Sequence, residues 1–317
     1  MSSANNDWDL KPGEFLTREK RRERFGGALY GGIEPSAKSN NIFIYSDPSR
    51  GENYGYKFDG WNSDKSIYLY TGEGRLGDQE LKDGNRAIAN HVEDGRALRL
   101  FVAAGEVDGN SKAKNQMYVG EFSLDAELPY YIAEAPDFEG EIRTVFVFRL
   151  KPVGSVTARE QDKSIETEPP ERTKAQLIEV ESTAAQNFEQ KPTQGVTAQR
   201  TESQLVKRFS EHLKNTGHEV KRWKLLPSES LIPLFTDPFD VNENELFEAK
   251  GSSNRNNIRL AIGQLLDYKR LMQTPPSKLT ILLPNEPSND LKMLIKSTGM
   301  GCVWETKPGF YTRMKLN

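Results

Sequence analysis

The sequence predicts a two-domain α+β or α/β protein. A twisted β-barrel with helices comes first, and a mixed α/β domain with an αβββαβ core follows. Three observations predict this. The chain has 317 residues, more than a single hydrophobic core usually organises. Its first half carries short apolar runs broken by Gly, Asn and Asp. From Thr201 onward, apolar residues recur at helical spacing and alternate with short strand-like runs.

Between Tyr30 and Leu150 the strand candidates are NIFIYS, SIYLYT, LRLFVAA, QMYVGEF and RTVFVFRL. One helix is expected between Asp78 and His91, where Leu81, Ile88 and Ala89 punctuate a polar run. Many short strands with one or two helices imply a small barrel or half-open sheet. Residues 1–152 are assigned to this domain, with an extension to about 190 left open because AQLIEVES reads as one more strand returning to it. Residues 153–199 are rich in Glu, Thr and Pro and read as a polar linker.

Residues 200–317 form the second domain. TESQLVKRFSEHLKNTG opens with a capping box, Thr201 with Gln204, and closes at Gly217. Leu205, Phe209 and Leu213 share one helical face. HEVKRWKLL, ESLIPLF and NELFEAK read as strands, and NNIRLAIGQLLDYKRLM as a long helix. KLTILLP, NDLKMLIKSTG, GCVWET and GFYTRM then read as strand, helix, strand and strand.

Composition excludes several classes. With 36% hydrophobic and 28% charged residues, the chain has a globular balance. No apolar run approaches the ~20 residues a membrane helix needs, so no membrane is expected. MSSANNDWDLKPGEF lacks a charged start followed by an apolar core, so no secretory signal is expected and a reducing cytoplasm fits. One cysteine, Cys302, excludes an internal disulfide framework and a Cys-rich zinc site. The net charge of −3 gives no global basic field, but phosphate contact needs only a local patch. REKRRERF, residues 18–25, is such a patch; it reads as a solvated helix face, an arm or a DNA contact.

TDPFDVNENELFEAKGS, residues 236–252, carries the chemistry of the second domain. Phosphodiester hydrolysis builds negative charge, which a divalent cation offsets while lowering the pKa of a bound water. Hard Mg2+ takes carboxylate and carbonyl oxygens and keeps several waters. Asp237 lies ahead of an apolar run that ends in Glu248-Ala249-Lys250. Period two puts Glu248 and Lys250 on one side of a strand and leaves the Ala249 carbonyl as a third candidate metal ligand. The alternative is a charged hairpin facing water. E-x-K recurs at Glu219–Lys221 and Glu305–Lys307, but neither has an aspartate at hairpin distance upstream.

The stretch from Thr201 to about Arg270 resembles the PD-(D/E)xK nuclease superfamily, whose core is αβββαβ. The resemblance implies that Asp237 and Glu248 bind Mg2+, for which Mn2+ can substitute. It implies that Lys250 positions or activates the attacking water, and that Gln264 and Tyr268, the Q-x-x-x-Y element, support the site and touch DNA. Glu202 matches an extra acidic residue that some members carry. Read as residues, Gln264 is equally an ordinary polar helix position and Tyr268 a core aromatic. The first metal ligand is Asp237 or Asp240; Asp237 is favoured because Asp240 falls in the expected hairpin turn.

In the first domain, TGEGRLGD is a glycine-dense loop leaving a strand, able to approach a phosphate or base closely. It is not a P-loop. The aromatics around it, Tyr54, Tyr56, Phe58, Trp61, Tyr68 and Tyr70, line a pocket for a flat ligand or simply fill the core. The run Gly55–Asp59, Tyr70-Thr71-Gly72, Asp78-Gln79 and Gly84–Ile88 resembles the SRA/YDG family, readers of modified cytosine in DNA. The resemblance spans roughly Tyr30 to Phe101. It implies that Tyr56 and Tyr70 sandwich a flipped 5-methyl- or 5-hydroxymethylcytosine, while Asp59 and Thr71 meet its hydrogen-bonding edge. Stacking of ~1–3 kcal/mol per contact offsets the few kcal/mol of flipping. Arg75 in the glycine loop and Arg86 in the Asn-Arg-Ala run are the candidate DNA contacts.

Together these imply a modification-dependent, type IV-like restriction endonuclease acting on double-stranded DNA. A double-strand break implies a homodimer, because one site cuts one strand. Two alternatives stand beside it: a type II-like enzyme whose SRA-like domain reads an unmodified sequence, and a non-catalytic DNA-binding protein.

Overall fold

The computed structural model describes residues 8–47, 58–107, 110–160, 162–170, 172–180 and 196–315. Its contacts divide into two units: Met1–Pro169 with Glu229–Ile232, and Pro170–Ser228 with Pro233–Asn317. Among the described residues, no helix is long and apolar enough to cross a membrane.

The first unit contains β1 (Phe15–Leu16), α1 (Arg18–Phe25), β2 (Ile33–Pro35), β3 (Asn41–Ser46), β4 (Gly60–Asn62), β5 (Tyr68–Thr71), α2 (Asp83–Ala89), β6 (Ala97–Val107), β7 (Asn110–Leu124), β8 (Tyr130–Pro136), β9 (Ile142–Pro152) and β10 (Ser164–Ile165). The strands pair in the order β10-β4-β5-β9-β7-β6-β3-β2, with β1 added to β7 and β8 to β9. The expected barrel is therefore an open, branched sheet among the described residues: the path ends at β10 and β2, and β7 and β9 each fork. Register shifts between β6 and β7 mark where this sheet bends.

Period-two alternation sorts the side chains. On β5 and β9, Tyr68, Tyr70, Phe148 and Leu150 enter one buried cluster, while Leu69, Val145 and Val147 enter another. β3 is hidden on both faces, with Ile42 and Ile44 in the first cluster and Phe43 and Tyr45 in a third. That is why NIFIYS reads as one continuous apolar run. The sequence reading passed over β8, whose Glu134, Ala135 and Pro136 weaken the strand signal; seven residues paired to β9 hold it in place.

REKRRERF is α1, capped by Thr17, whose hydroxyl accepts from Lys20 N. It is more than a solvated face. Arg21 is 1% exposed. Its guanidinium pairs with Glu34, donates to Tyr45 Oη (2.7 Å) and lies over the Phe43 ring. Charged donors buried this way are tolerated because each finds an acceptor.

The second unit contains β11 (Lys174–Glu179), α3 (Val196–Asn215), β12 (Val220–Leu226), β13 (Leu234–Phe235), β14 (Phe239–Asp240), β15 (Glu245–Ala249), α4 (Arg255–Leu271), β16 (Lys278–Leu283), α5 (Asn289–Ser297), β17 (Gly301–Lys307) and β18 (Phe310–Arg313). The sheet order is β11-β12-β14-β15-β16-β17-β18, with β13 added to β12. The β15–β16 and β16–β17 pairs are parallel and joined through helices. Leu246, Ile281, Leu283, Cys302 and Trp304 pack with α4 and α5 on one face. Phe247, Ala249, Leu282 and Val303 pack with Leu205, Phe209 and Leu213 of α3 on the other. This is a helix–sheet–helix sandwich; its elements follow the predicted order except that β11 precedes the first helix and β14 is added before β15.

Three expectations change here. The strand in AQLIEVES does not return to the first sheet; β11 pairs antiparallel with β12 over six residues, from Lys174↔Leu226 to Glu179↔Lys221. The first helix begins at Val196, so Thr201 is a helix-interior residue and not its cap. ESLIPLF yields only the two-residue β13, because Pro233 has no N–H to give a ladder.

Candidate functional site

In the second unit, the site forms where the turn before β14 meets the end of β15. Trp223 and Thr236 exchange backbone and hydroxyl hydrogen bonds, Thr236 N to Trp223 O and Trp223 N to Thr236 Oγ1, both 3.0 Å. That exchange delivers Asp237 to β15, where its Oδ2 accepts from Ala249 N at 2.8 Å. Ala249 is thus shown using its N–H as an anchor for Asp237. Two residues apart and on one side, Lys250 Nζ donates to Glu248 Oε1 at 2.6 Å, both side chains buried. Glu202 arrives from α3, its Oε2 accepting from Gly251 N at 3.1 Å. From α4, Gln264 Nε2 donates to Tyr268 Oη at 3.5 Å, while Gln264 Oε1 is buried without a partner.

The electrostatics follow from crowding three acids in a desolvated place. Burial, then repulsion by Asp237, pushes the Glu248 carboxyl up to about 8, against the pull of Lys250. Burial raises Asp237 as well, with the Ala249 N–H, Lys250 and Arg222 opposing. Glu202 is raised by burial, with Lys250 opposing. Tyr268 is raised by burial and then by Glu248 and Asp237. Arg222 on β12 is lowered by burial and held up chiefly by Asp237, and its Nε is buried without a partner. No sequence motif marks Arg222; only the pairing of β12 brings it here.

Asp240 is corrected from its expected turn. It is the last residue of β14, 2% exposed, and its Oδ2 meets His218 Nδ1 at 2.6 Å. Its Oδ1 accepts from Asn242 N at 3.0 Å. Its carboxyl is occupied away from Glu248, whereas Asp237 shares the anchor with β15.

The donor set fits a hard cation. Two raised carboxylates repelling each other in a desolvated site are what a divalent ion would relieve. Among the described residues, no three His, Cys, Asp or Glu side chains form a group that could hold an ion alone. A Mg2+ there would complete its shell with waters or a backbone carbonyl, as that ion commonly does.

In the first unit, Asp59 is the centre. It is 5% exposed; Oδ1 accepts from Thr71 N and Oδ2 from Ser46 Oγ, both 2.8 Å. Tyr68 Oη donates to Ser46 Oγ at 2.8 Å, extending the chain. Burial lifts the Asp59 carboxyl to about 6, with the Thr71 and Ser46 bonds opposing. Thr71 Oγ1 is buried without a hydrogen-bond partner of normal geometry. The sequence reading missed Ser46 and named Tyr68 only among the aromatics, because a serine at a strand end and one tyrosine among many carry no local signal of this contact.

The structure does not bring the Tyr70 and Thr71 side chains to one face. They are adjacent on β5, so they alternate: Tyr70 enters the cluster of Tyr68 and Phe148, with its Oη 3.5 Å from Tyr45 O. Thr71 shares a side with Leu69 and Val147. Tyr56 lies outside the described residues. Arg75 and Arg86 are exposed, on the glycine-dense loop and on α2. Gln79 and Asn85 brace that loop: Gln79 Nε2 donates to Gly72 O (2.5 Å), and Asn85 exchanges bonds with Glu73 N (2.8 Å) and O (2.9 Å).

Comparison with known proteins bears on the first unit. Residues 12–169 match the family model described as the ScoMcrA-like SRA domain, so this half of the chain is an SRA domain. Within that class, it is of the kind found in ScoMcrA. Similar solved structures include the sulfur binding domain and SRA domain of ScoMcrA complexed with phosphorothioated DNA, at 26% identity and TM-score 0.36, covering 46% of this chain and 41% of that one. The type IV phosphorothioation-dependent restriction endonuclease ScoMcrA matches at 25% identity and TM-score 0.36, over 47% of this chain and 29% of its own. The SRA domain of SUVH5 bound to fully hydroxymethylated CG DNA matches at 18% identity and TM-score 0.32, over 50% of this chain and 97% of its own. The chain therefore spans 41% and 29% of the lengths of the two ScoMcrA chains it matches. No curated protein matches the sequence.

Proposed function

We propose that the protein is a modification-dependent, type IV-like restriction endonuclease. In this reading the first unit flips and reads a modified cytosine in double-stranded DNA, and the second hydrolyses phosphodiester bonds with Mg2+. The observation that carries it is the buried Glu248–Lys250 pair, with half-buried Asp237 anchored beside it on Ala249 N, in a chain whose residues 12–169 match an SRA domain.

Asp237 and Glu248 would hold the metal, which when bound supplies charge neutralisation and a more acidic water. Lys250 Nζ, held on Glu248, is poised to keep the attacking water or a phosphate oxygen in place. Gln264, with its unpaired Oε1, and Tyr268 orient the groups around it. Asp59 accepts from the cytosine N4 amine with the lone pairs not used by Thr71 and Ser46.

The test is digestion of matched plasmids that are unmodified or carry 5-methylcytosine, 5-hydroxymethylcytosine or phosphorothioate linkages, with and without Mg2+. Cutting confined to cytosine-modified DNA with Mg2+ supports the reading. Equal cutting of all substrates favours a reader of unmodified sequence. Binding without cutting, unchanged by Glu248→Gln or Lys250→Ala, favours a non-catalytic protein.

A further inference from the structure

One charged side chain in the first unit is used by neither site. Arg143, near the start of β9, is 3% exposed, and its Nε and Nη2 are buried with no partner. Its remaining bond is long: Nη1 to Gly77 O at 3.4 Å. Evolution of a core does not favour a buried guanidinium with two idle donors unless something meets them.

The glycine-dense loop lies directly over this group. A Cβ placed on Gly74 would stand 3.2 Å from Arg143 Nη1, and Gly74 has φ +145°, so a side chain there would be crowded and its backbone strained. The loop has firm feet. Gly72 N donates to Phe146 O at 2.9 Å, and Gln79 N to Thr144 O at 2.9 Å. Between them, residues 75–78 are exposed. The arch also carries Arg75, whose carbonyl accepts from Phe138 N. The acid nearest in charge, Asp137, is engaged by backbone N–H groups of Gly77, Glu139 and Glu141. The Arg143 charge also attracts that carboxylate, but Arg143 Nε and Nη2 make no hydrogen bond to it.

Arg143 and Val147 share a side of β9, and Val147 faces Thr71 across the ladder. Four residues of strand place Arg143 about 13 Å from the Asp59–Thr71 pocket. We infer that Arg143 is a phosphate-binding residue. The arch of residues 73–77 lifts to admit one DNA backbone phosphate, flanking the nucleotide read at Asp59, onto the guanidinium fork. A planar fork of donors matches a phosphodiester's two free oxygens, and Gly74 keeps the loop clear of side-chain bulk next to the guanidinium. This rests on the modified-DNA reading proposed above.

The experiment uses the full chain, wild type and the variants Arg143→Met and Arg143→Lys, with a duplex holding one 5-methylcytosine. Affinity is measured across salt concentrations. Arg143→Met is expected to weaken binding roughly ten- to a hundredfold and to lower the salt slope by about one. Arg143→Lys should keep the slope. Replacing single flanking linkages by uncharged methylphosphonates should reproduce the loss at one linkage in the wild type, and add nothing at that linkage in Arg143→Met. The melting temperature of Arg143→Met should not fall, since no good hydrogen bond is removed. An unchanged slope with a lowered melting temperature would show a structural, water-satisfied arginine and overturn the inference. Stabilisation of the wild type, but not Arg143→Met, by inorganic phosphate without any linkage effect would mark a free-anion site and overturn the DNA assignment. If the wild type shows no preference for the modified duplex, the reader proposal fails; the salt slope and methylphosphonate arms still decide Arg143 on plain DNA.

Discussion

At the scale of single residues, two carboxyls carry the testable chemistry. Glu248 is raised to about 8 by burial and by Asp237. If that strain is relieved by a cation, Mg2+ raises the melting temperature of the wild type. Glu248→Gln should abolish both the rise and cleavage while sparing DNA binding; an undiminished Mg2+ response in the variant would remove Glu248 from the metal site. Asp59 is raised from 3.8 to about 6. A raised carboxyl contributes stability that is complete below its unfolded pKa and is lost as pH rises through the folded one, here between about 4 and 6. Recognition runs the other way, because accepting from the N4 amine favours the ionised form. Affinity for modified DNA should therefore fall as pH drops through 6, and Asp59→Asn should flatten that profile in a binding titration. Arg21 shows the structural counterpart of such sites. Its removal leaves buried Glu34 with only the partly exposed Arg18 as an ionic partner, so Arg21→Ala should cost about 3 kcal/mol in denaturant unfolding. A cost under 1 kcal/mol would show that the pair is not buried in solution.

At the scale of elements, short turns and helix ends set the sites. α4 carries Gln264 and Tyr268, and it starts at Asn254, whose Oδ1 accepts from Asn257 N at 2.9 Å. Asn254→Ala should cost about 1 kcal/mol of stability, measured by chemical denaturation. It should leave the DNA preference of the first unit untouched. The period-two run of β15 is equally decisive. It sends Leu246 and Glu248 toward α4, and Phe247 and Ala249 toward α3, so one strand contributes to two cores and one site.

At the scale of the whole molecule, the proposed reading and cutting fall in two units with separate buried clusters. The prediction is that they fail independently. Asp59→Ala should lose the preference for modified DNA while Mg2+ still stabilises the protein, and Glu248→Gln should show the reverse. A homodimer is required if one site cuts one strand. Double-strand breaks should then rise faster than linearly with protein concentration, and sedimentation should show a dimer on DNA; linear dependence with a monomer would exclude that assembly.

The sequence by itself determined the two element patterns and the motif positions. Alternation and helical spacing are local, so NIFIYS, α3 to α5 and the Glu248–Lys250 pair are legible from neighbours alone. Composition likewise exposed the glycine-dense loop. What only the tertiary structure decided are pairings between residues distant in the chain. β11 belongs to β12, the Asp237 and not the Asp240 carboxyl bonds Ala249 beside Glu248, Arg21 is core, and Ser46 with Tyr68 holds Asp59. A strand's partner and a carboxyl's hydrogen bonds depend on what folding brings alongside, and that information is spread over the whole chain.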